Sequence, residues 1–170
     1  MSECRVAVIM GSDSDWNVMQ SCVEQLKAFG LTAEVRVLSA HRTPGDVVEF
    51  VQSADKQGIE VFIAAAGMSA ALAGTVAAHT NRPVIGVPVD SGGLGGLDAL
   101  LSTVQMPPGV PVAGMAIGKP GARNAAILAV QILALKDDAL ASALIAFKKK
   151  QAEEVRRKDR NLRQGPASAS

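Results

Sequence analysis

The sequence predicts an α/β fold, a three-layer sandwich in which one parallel sheet of five strands lies between two layers of helices. Two observations carry that expectation. Strand-sized apolar runs alternate with helix-sized runs along the whole 170-residue chain, which implies a parallel sheet covered on both faces. Apolar residues reach 48% while aromatics stop at 3%, with no Tyr and one Trp. The core is therefore built from Val, Ile, Leu and Ala beside 16 Gly, and such small residues suit close helix-on-sheet contact.

Residues 4–10 read as a buried strand. Gly11-Ser12-Asp13-Ser14-Asp15 supplies helix N-cap residue types, and the helix that follows spans about 15–29 and stops at Gly30. Its apolar positions, Val18, Met19, Cys22, Leu26 and Phe29, recur at helical spacing. A second strand covers 33–38, and a second helix runs from about 44 to 57 before Gly58. The third strand is 61–65, followed by a small-residue helix over 69–79. The fourth strand, 83–89, leads into Gly92-Gly93-Leu94-Gly95-Gly96, a loop that needs unusual backbone angles or close approach. A helix over 97–103, a fifth strand over 110–116 and an apolar helix over 122–135 complete the alternation. An extra C-terminal helix begins near Asp137, and its end, 148–164, is dense in charge.

The expected strand order is 2-1-3-4-5, the flavodoxin-like arrangement, with right-handed crossovers. Residues 1–164 read as a single domain, and 165–170 as a frayed tail. No internal repeat is visible.

A formal net charge of +1 gives no field to attract nucleic acid or an anionic membrane. The scarcity of aromatics argues against single-strand nucleic-acid binding, which uses stacking platforms. No basic-then-apolar leader and no membrane-length apolar run is seen, so a cytoplasmic protein is expected. Cys4 and Cys22 read as two buried thiols in a reducing compartment, and their spacing matches no zinc motif.

In sheets of this kind ligands bind beyond the carboxyl ends of the strands. Four segments follow strands and should converge there: 11–16, 39–44, 66–74 and 90–96. The most informative is Ser39-Ala40-His41-Arg42-Thr43-Pro44. Histidine moves a proton near neutral pH, and arginine holds phosphate or carboxylate through paired hydrogen bonds. The pair suggests an enzyme acting on a small phosphorylated molecule. In the first segment, Ser12 and Asp15 begin a helix whose free N–H groups suit a phosphate, and a carboxylate there can hold ribose hydroxyls. A simple helix cap explains the same residues. The segment is neither a P-loop nor a dinucleotide fingerprint.

The third segment carries little side-chain chemistry beyond Ser69. Close helix packing accounts for it, and the functional alternative is a water-poor wall with inward N–H groups. His79, on an Ala-rich helix, reads as structural, and the 148–163 charges as a solvated or intersubunit face.

Together with Gln105-Met106-Pro107-Pro108-Gly109-Val110-Pro111-Val112, Ala116-Ile117-Gly118-Lys119 and Asn124-Ala125-Ala126, these segments resemble the PurE family of purine biosynthesis, in the right order from about residue 6 to 135. The resemblance implies a mutase that moves a carboxyl group of N5-carboxyaminoimidazole ribonucleotide from the exocyclic nitrogen to ring carbon 4. It implies no metal and no organic cofactor. The histidine matching His41 shuttles the proton. Residues matching Ser12, Asp15 and Arg42 bind the ribose phosphate portion, with Ser39, Gly67 and Ser69 completing the site. The family is a homo-octamer whose C-terminal helices pack across subunits. An ATP-dependent N5-carboxyaminoimidazole ribonucleotide synthetase is the implied pathway partner.

One segment departs from that pattern. Where bacterial mutases read Ala-Gly-x-Ala-Ala-His-Leu-Pro-Gly, this chain has Ala71 at the His position and Ala73 at the Pro position. Ser69 is similar instead to the animal-type branch, a carboxylase that adds free carbon dioxide directly to aminoimidazole ribonucleotide. That branch carries Lys after its His, so Arg42, Thr43 and Pro44 point back to the mutase. The same loop also resembles an enzyme that carboxylates nicotinic acid adenine dinucleotide. A reading of another class is a non-catalytic module that holds a phosphorylated ligand and needs Ser12, Asp15 and Arg42 but not His41.

Overall fold

The computed structural model describes residues 4–164, Asp55 by its backbone alone. Its strands are β1 (Val6–Met10), β2 (Ala33–Val37), β3 (Val61–Gly67), β4 (Val84–Val89) and β5 (Ala113–Gly114). Its helices are α1 (Trp16–Ala28), α2 (Pro44–Lys56), α3 (Leu72–Ala77), α4 (Leu97–Val104), α5 (Lys119–Leu133) and α6 (Asp138–Arg163). The strands pair in parallel in the expected order, β2-β1-β3-β4-β5. Met10 lies opposite both Val37 and Ala65, and Gly67 opposite Val89, so the carboxyl ends of β1 to β4 meet at one edge.

Side chains alternate across a strand, so each strand feeds two cores. Val6, Val8 and Met10 face one core with Val61, Ile63, Ile85 and Val87, covered by Met19, Cys22 and Leu26 of α1 and the alanine-rich face of α5. Ala7 and Ile9 face the other with Phe62, Ala64 and Val84, under Val47, Phe50 and Val51 of α2 and Leu72, Ala73 and Val76 of α3. Small residues bring the layers close. A Cβ on Gly86 of β4 would strike the Thr103 methyl group of α4, so α4 rests directly on strand backbone.

Arg5, just before β1, pairs with Glu60 before β3 and with Asp137 at 2.7 Å. Asp137 also caps α6 by accepting from the Leu140 N–H at 3.1 Å. The start of α6 is thereby tied to the base of the sheet. Phe147 meets Phe29 of α1 edge-to-face at 5.2 Å between ring centroids. From Lys148 to Arg163 almost every residue of α6 is exposed.

Two elements are shorter than the sequence suggests. The helix expected over 69–79 spans only Leu72–Ala77, because residues 69–71 form a tight turn in which the Ala71 N–H donates to the Ser69 carbonyl at 2.8 Å. The strand expected over 110–116 contracts to Ala113–Gly114. Pro111 has no N–H for the ladder, and the chain before it turns at Gly109, φ 97°. Cys22 is buried as expected, and burial pushes its thiol up to about 12. Cys4 is only half-buried, a correction to the reading of two buried thiols, and both cysteines are free. The tail expected from residue 165 lies outside the described residues. Among those described, no helix is long and apolar enough to cross a membrane.

Candidate active site

The first loop is built around a carboxylate. Gly11 N–H donates to the Ala65 carbonyl at 3.0 Å, carrying the β1 ladder one residue further. Ser12 then caps a single 3₁₀ turn, Asp13–Asp15. Its hydroxyl accepts from Ser14 N–H at 3.3 Å, and its own N–H donates to Asp15 Oδ2 at 3.1 Å, a reciprocal capping box. Asp15 is 3% exposed. Burial raises its carboxyl above the usual range, against the opposing pull of the Ser12 and Gly11 N–H groups and the Arg42 charge.

The second loop holds its arginine at several points. Ser39 Oγ accepts from the Arg42 backbone N–H at 3.2 Å and from Arg42 Nε at 3.3 Å. Thr43 N–H donates to the Ser39 carbonyl at 2.9 Å, and Ser39 N–H to Thr43 Oγ1 at 3.1 Å, which closes the turn before Pro44 opens α2. Arg42 Nη2 reaches across to the Gly11 carbonyl at 2.9 Å. The guanidinium is thus fixed between two loops and keeps further N–H groups for a ligand. His41, at the apex of the turn, is exposed, and its ring makes no hydrogen bond or ion pair among the described residues.

The third loop extends β3 to Gly67, where a Cβ would land on the Ser91 side chain and lie 3.0 Å from the Val89 carbonyl. Met68 follows in its left-handed conformation, with Ala71 N–H donating to the Ser69 carbonyl at 2.8 Å.

These loops enclose one cleft of about 530 Å³, a volume suited to a small molecule. Ser12 and Asp15 line it from the first loop, Ser39, His41 and Arg42 from the second, and Gly67, Ser69, Ala71 and Leu72 from the third. All the site residues expected from sequence are therefore brought together. Ser14 and Ser91 also line the cleft. Both belong to segments expected to converge here, 11–16 and 90–96, though neither stands out as a site residue in the sequence. Ser14 stands in a segment explained by capping, and Ser91 is a single hydroxyl ahead of a run of glycines.

The lining is chemically mixed. Asp15, His41, Arg42 and several serine hydroxyls share it with the apolar Ala66, Ala71 and Leu72. His79 lies apart, in a separate cleft with Asn81 and Arg82, where its Nδ1 is 2.8 Å from the Thr75 carbonyl. Among the described residues no group of three or more His, Cys, Asp or Glu is placed to hold a metal ion.

Comparison with known proteins gives a consistent result. The family described as AIR carboxylase matches residues 5–154. The chain is 54% identical over 158 residues to the N5-carboxyaminoimidazole ribonucleotide mutase of Mycobacterium leprae, covering 93% of this chain and 91% of that protein. It is 50% identical to the enzyme of the same name from Escherichia coli K12, covering 89% of each. The crystal structure of Treponema denticola PurE superposes with a TM-score of 0.85 at 30% identity, over 92% of this chain and 97% of that one.

Proposed function

The chain belongs to the AIR carboxylase family, and from that premise we propose that it is an N5-carboxyaminoimidazole ribonucleotide mutase, an isomerase of purine biosynthesis. The observation that carries the reading is the setting of His41. Its imidazole has no protein partner among the described residues, stands beside a clasped arginine, and shares a cleft with the apolar Ala66, Ala71 and Leu72.

The chemistry follows from that setting. The bond between the exocyclic nitrogen and the carboxyl carbon breaks, and its electron pair returns to nitrogen. That nitrogen takes a proton from the His41 imidazolium. The carbon dioxide released stays in the cleft, and ring carbon 4 bonds to it. The proton displaced from carbon 4 passes to the now neutral imidazole, which restores the starting state. Atoms and charge balance, and the sum is an isomerisation needing no redox partner. The apolar part of the lining suits the neutral intermediate, and a dry site prevents its loss.

Ser12, Asp15 and Arg42 take the ribose phosphate end, where hydroxyls, backbone N–H groups and the fixed guanidinium lie together. Ser39 holds Arg42 in place. Gly67 and Ser69 border the imidazole. The enzyme works in the cytoplasm, fed by an ATP-dependent synthetase that makes the labile carbamate. A homo-octamer accounts for the exposed length of α6, with Ile145, Val155 and Leu162 on its surface.

A second reading, direct carboxylation of aminoimidazole ribonucleotide by free carbon dioxide, draws on Ala71, which lines the cleft where the resemblance expects His. Purified protein given freshly made N5-carboxyaminoimidazole ribonucleotide in bicarbonate-free buffer should form the carbon-4 carboxylate rapidly, and should use aminoimidazole ribonucleotide with added carbon dioxide poorly. The reverse preference supports the carboxylase, and no turnover of either returns the chain to a binding module.

A further inference from the structure

Resting on the mutase reading, we propose that Ser91 binds the migrating carboxyl group and keeps it in the cleft between its departure from nitrogen and its capture by ring carbon 4. Ser91 lies just past β4, where the fourth loop meets the cleft. The space a Cβ would need on Gly67 is occupied by the Ser91 side chain, so the hydroxyl is seated against strand backbone. Other cleft serines are already engaged. Ser12 and Ser14 bond to each other at 2.9 Å, and Ser39 accepts twice from Arg42. The Ser91 hydroxyl makes no hydrogen bond within the protein among the described residues, so its donor and acceptor are available to a ligand.

The location fits the substrate's polarity. With the phosphate end at Arg42, the imidazole and its carboxyl group extend toward the apolar part of the lining. Of the cationic residue types lining the cleft among the described residues, Arg42 is committed to Gly11 and Ser39, and His41 to moving the proton. Hydrogen bonds to ionised donors are roughly twice as strong as neutral ones, so a further cation held on the carboxyl would favour the bound carboxylate over neutral carbon dioxide. A neutral hydroxyl orients the group without adding that penalty. Ser69 lines the same cleft but follows the left-handed Met68, whereas the Ser91 side chain, also on an exposed loop, packs against Gly67.

Two variants test the inference. Ser91→Ala removes the hydroxyl, and Ser91→Cys keeps the side-chain shape beside Gly67 with a slightly larger atom that is only a weak donor. The readout is aminoimidazole ribonucleotide released per carbon-4 carboxylate formed, together with kcat/KM on the carbamate. Both variants should leak about tenfold more and lose about tenfold in kcat/KM, the size of one hydrogen bond to a charged group. KM should stay within about twofold, because the phosphate end is untouched. Parental retention in both variants overturns the inference. So does a parental Ser91→Cys beside an impaired Ser91→Ala, which would mean packing alone. A parent protein inert toward the carbamate sinks the mutase reading itself, and the inference with it.

Discussion

Arg42 Nη2 donates to the carbonyl oxygen of Gly11 at 2.9 Å, fastening the loop after β2 to the loop after β1. Its Nε reaches Ser39 Oγ at 3.3 Å, so the guanidinium plane is set before any ligand arrives. The residue proposed to take the substrate phosphate therefore also holds the two walls of the cleft together.

Arg42→Lys keeps the charge and loses the fork. One ammonium cannot reach Gly11, Ser39 and a phosphate at once. We expect kcat/KM to fall roughly 10- to 100-fold, mostly through KM, as for losing a hydrogen bond to a charged group. Steady-state kinetics on the carbamate check this, and a KM within twofold of the parent contradicts it.

His41→Asn should leave ligand affinity nearly unchanged, because the His41 ring holds no part of the protein in place among the described residues. Its kcat should fall about 10²- to 10⁴-fold, the usual worth of a positioned general acid–base. Calorimetric titration with product, beside the turnover assay, separates the two effects. Full activity in the variant removes His41 from the mechanism.

Gly67→Ala forces a Cβ into the Ser91 side chain. Overpacking of this kind costs roughly 1–3 kcal/mol, read as a lower urea midpoint. Adding Ser91→Gly should return part of that loss, since it clears both the Oγ and the Cβ that a Gly67 Cβ would meet. Strict additivity in the double variant would show that the contact does not set the cost.

Two aspartates should respond to acid with opposite sign. The Leu140 N–H, and then Arg5, hold the Asp137 carboxyl below its usual range. Its contribution is present above the unfolded value of about 3.9 and is lost as pH falls through the folded value below it. Burial raises Asp15, so its ionised form costs stability at neutral pH, and that cost fades as pH falls through the raised value. Thermal melts from neutral pH to about pH 3 test both. Asp137→Asn should gain on the parent toward acid, and Asp15→Asn should lose ground. Parallel curves for the two variants would contradict the assignment.

Much of this architecture was legible in the chain. The parallel sheet followed from alternating apolar runs, its order from the flavodoxin-like arrangement, and the cap at Ser12 and Asp15 from local residue types. The convergence of the His41 and Ser69 loops needed only the rule for parallel sheets. What escaped is tertiary. The Arg42–Gly11 clasp joins residues 31 positions apart, and no spacing rule encodes it. Nothing in methionine favours the left-handed conformation of Met68, and the tight turn at 69–71 that follows it shortens α3. Ser91 escaped because its meaning lies in the space that Gly67 leaves open.

The central claim is that one carboxyl group leaves nitrogen, stays in the cleft and returns at carbon. The most direct measurement supplies unlabelled N5-carboxyaminoimidazole ribonucleotide to the enzyme in buffer containing ¹³C-bicarbonate and carbonic anhydrase, then weighs the carbon-4 carboxylate by mass spectrometry. Retention predicts product that stays unlabelled through early turnover. Product labelled to the level of the dissolved carbon dioxide would contradict the mutase account and identify a carboxylase.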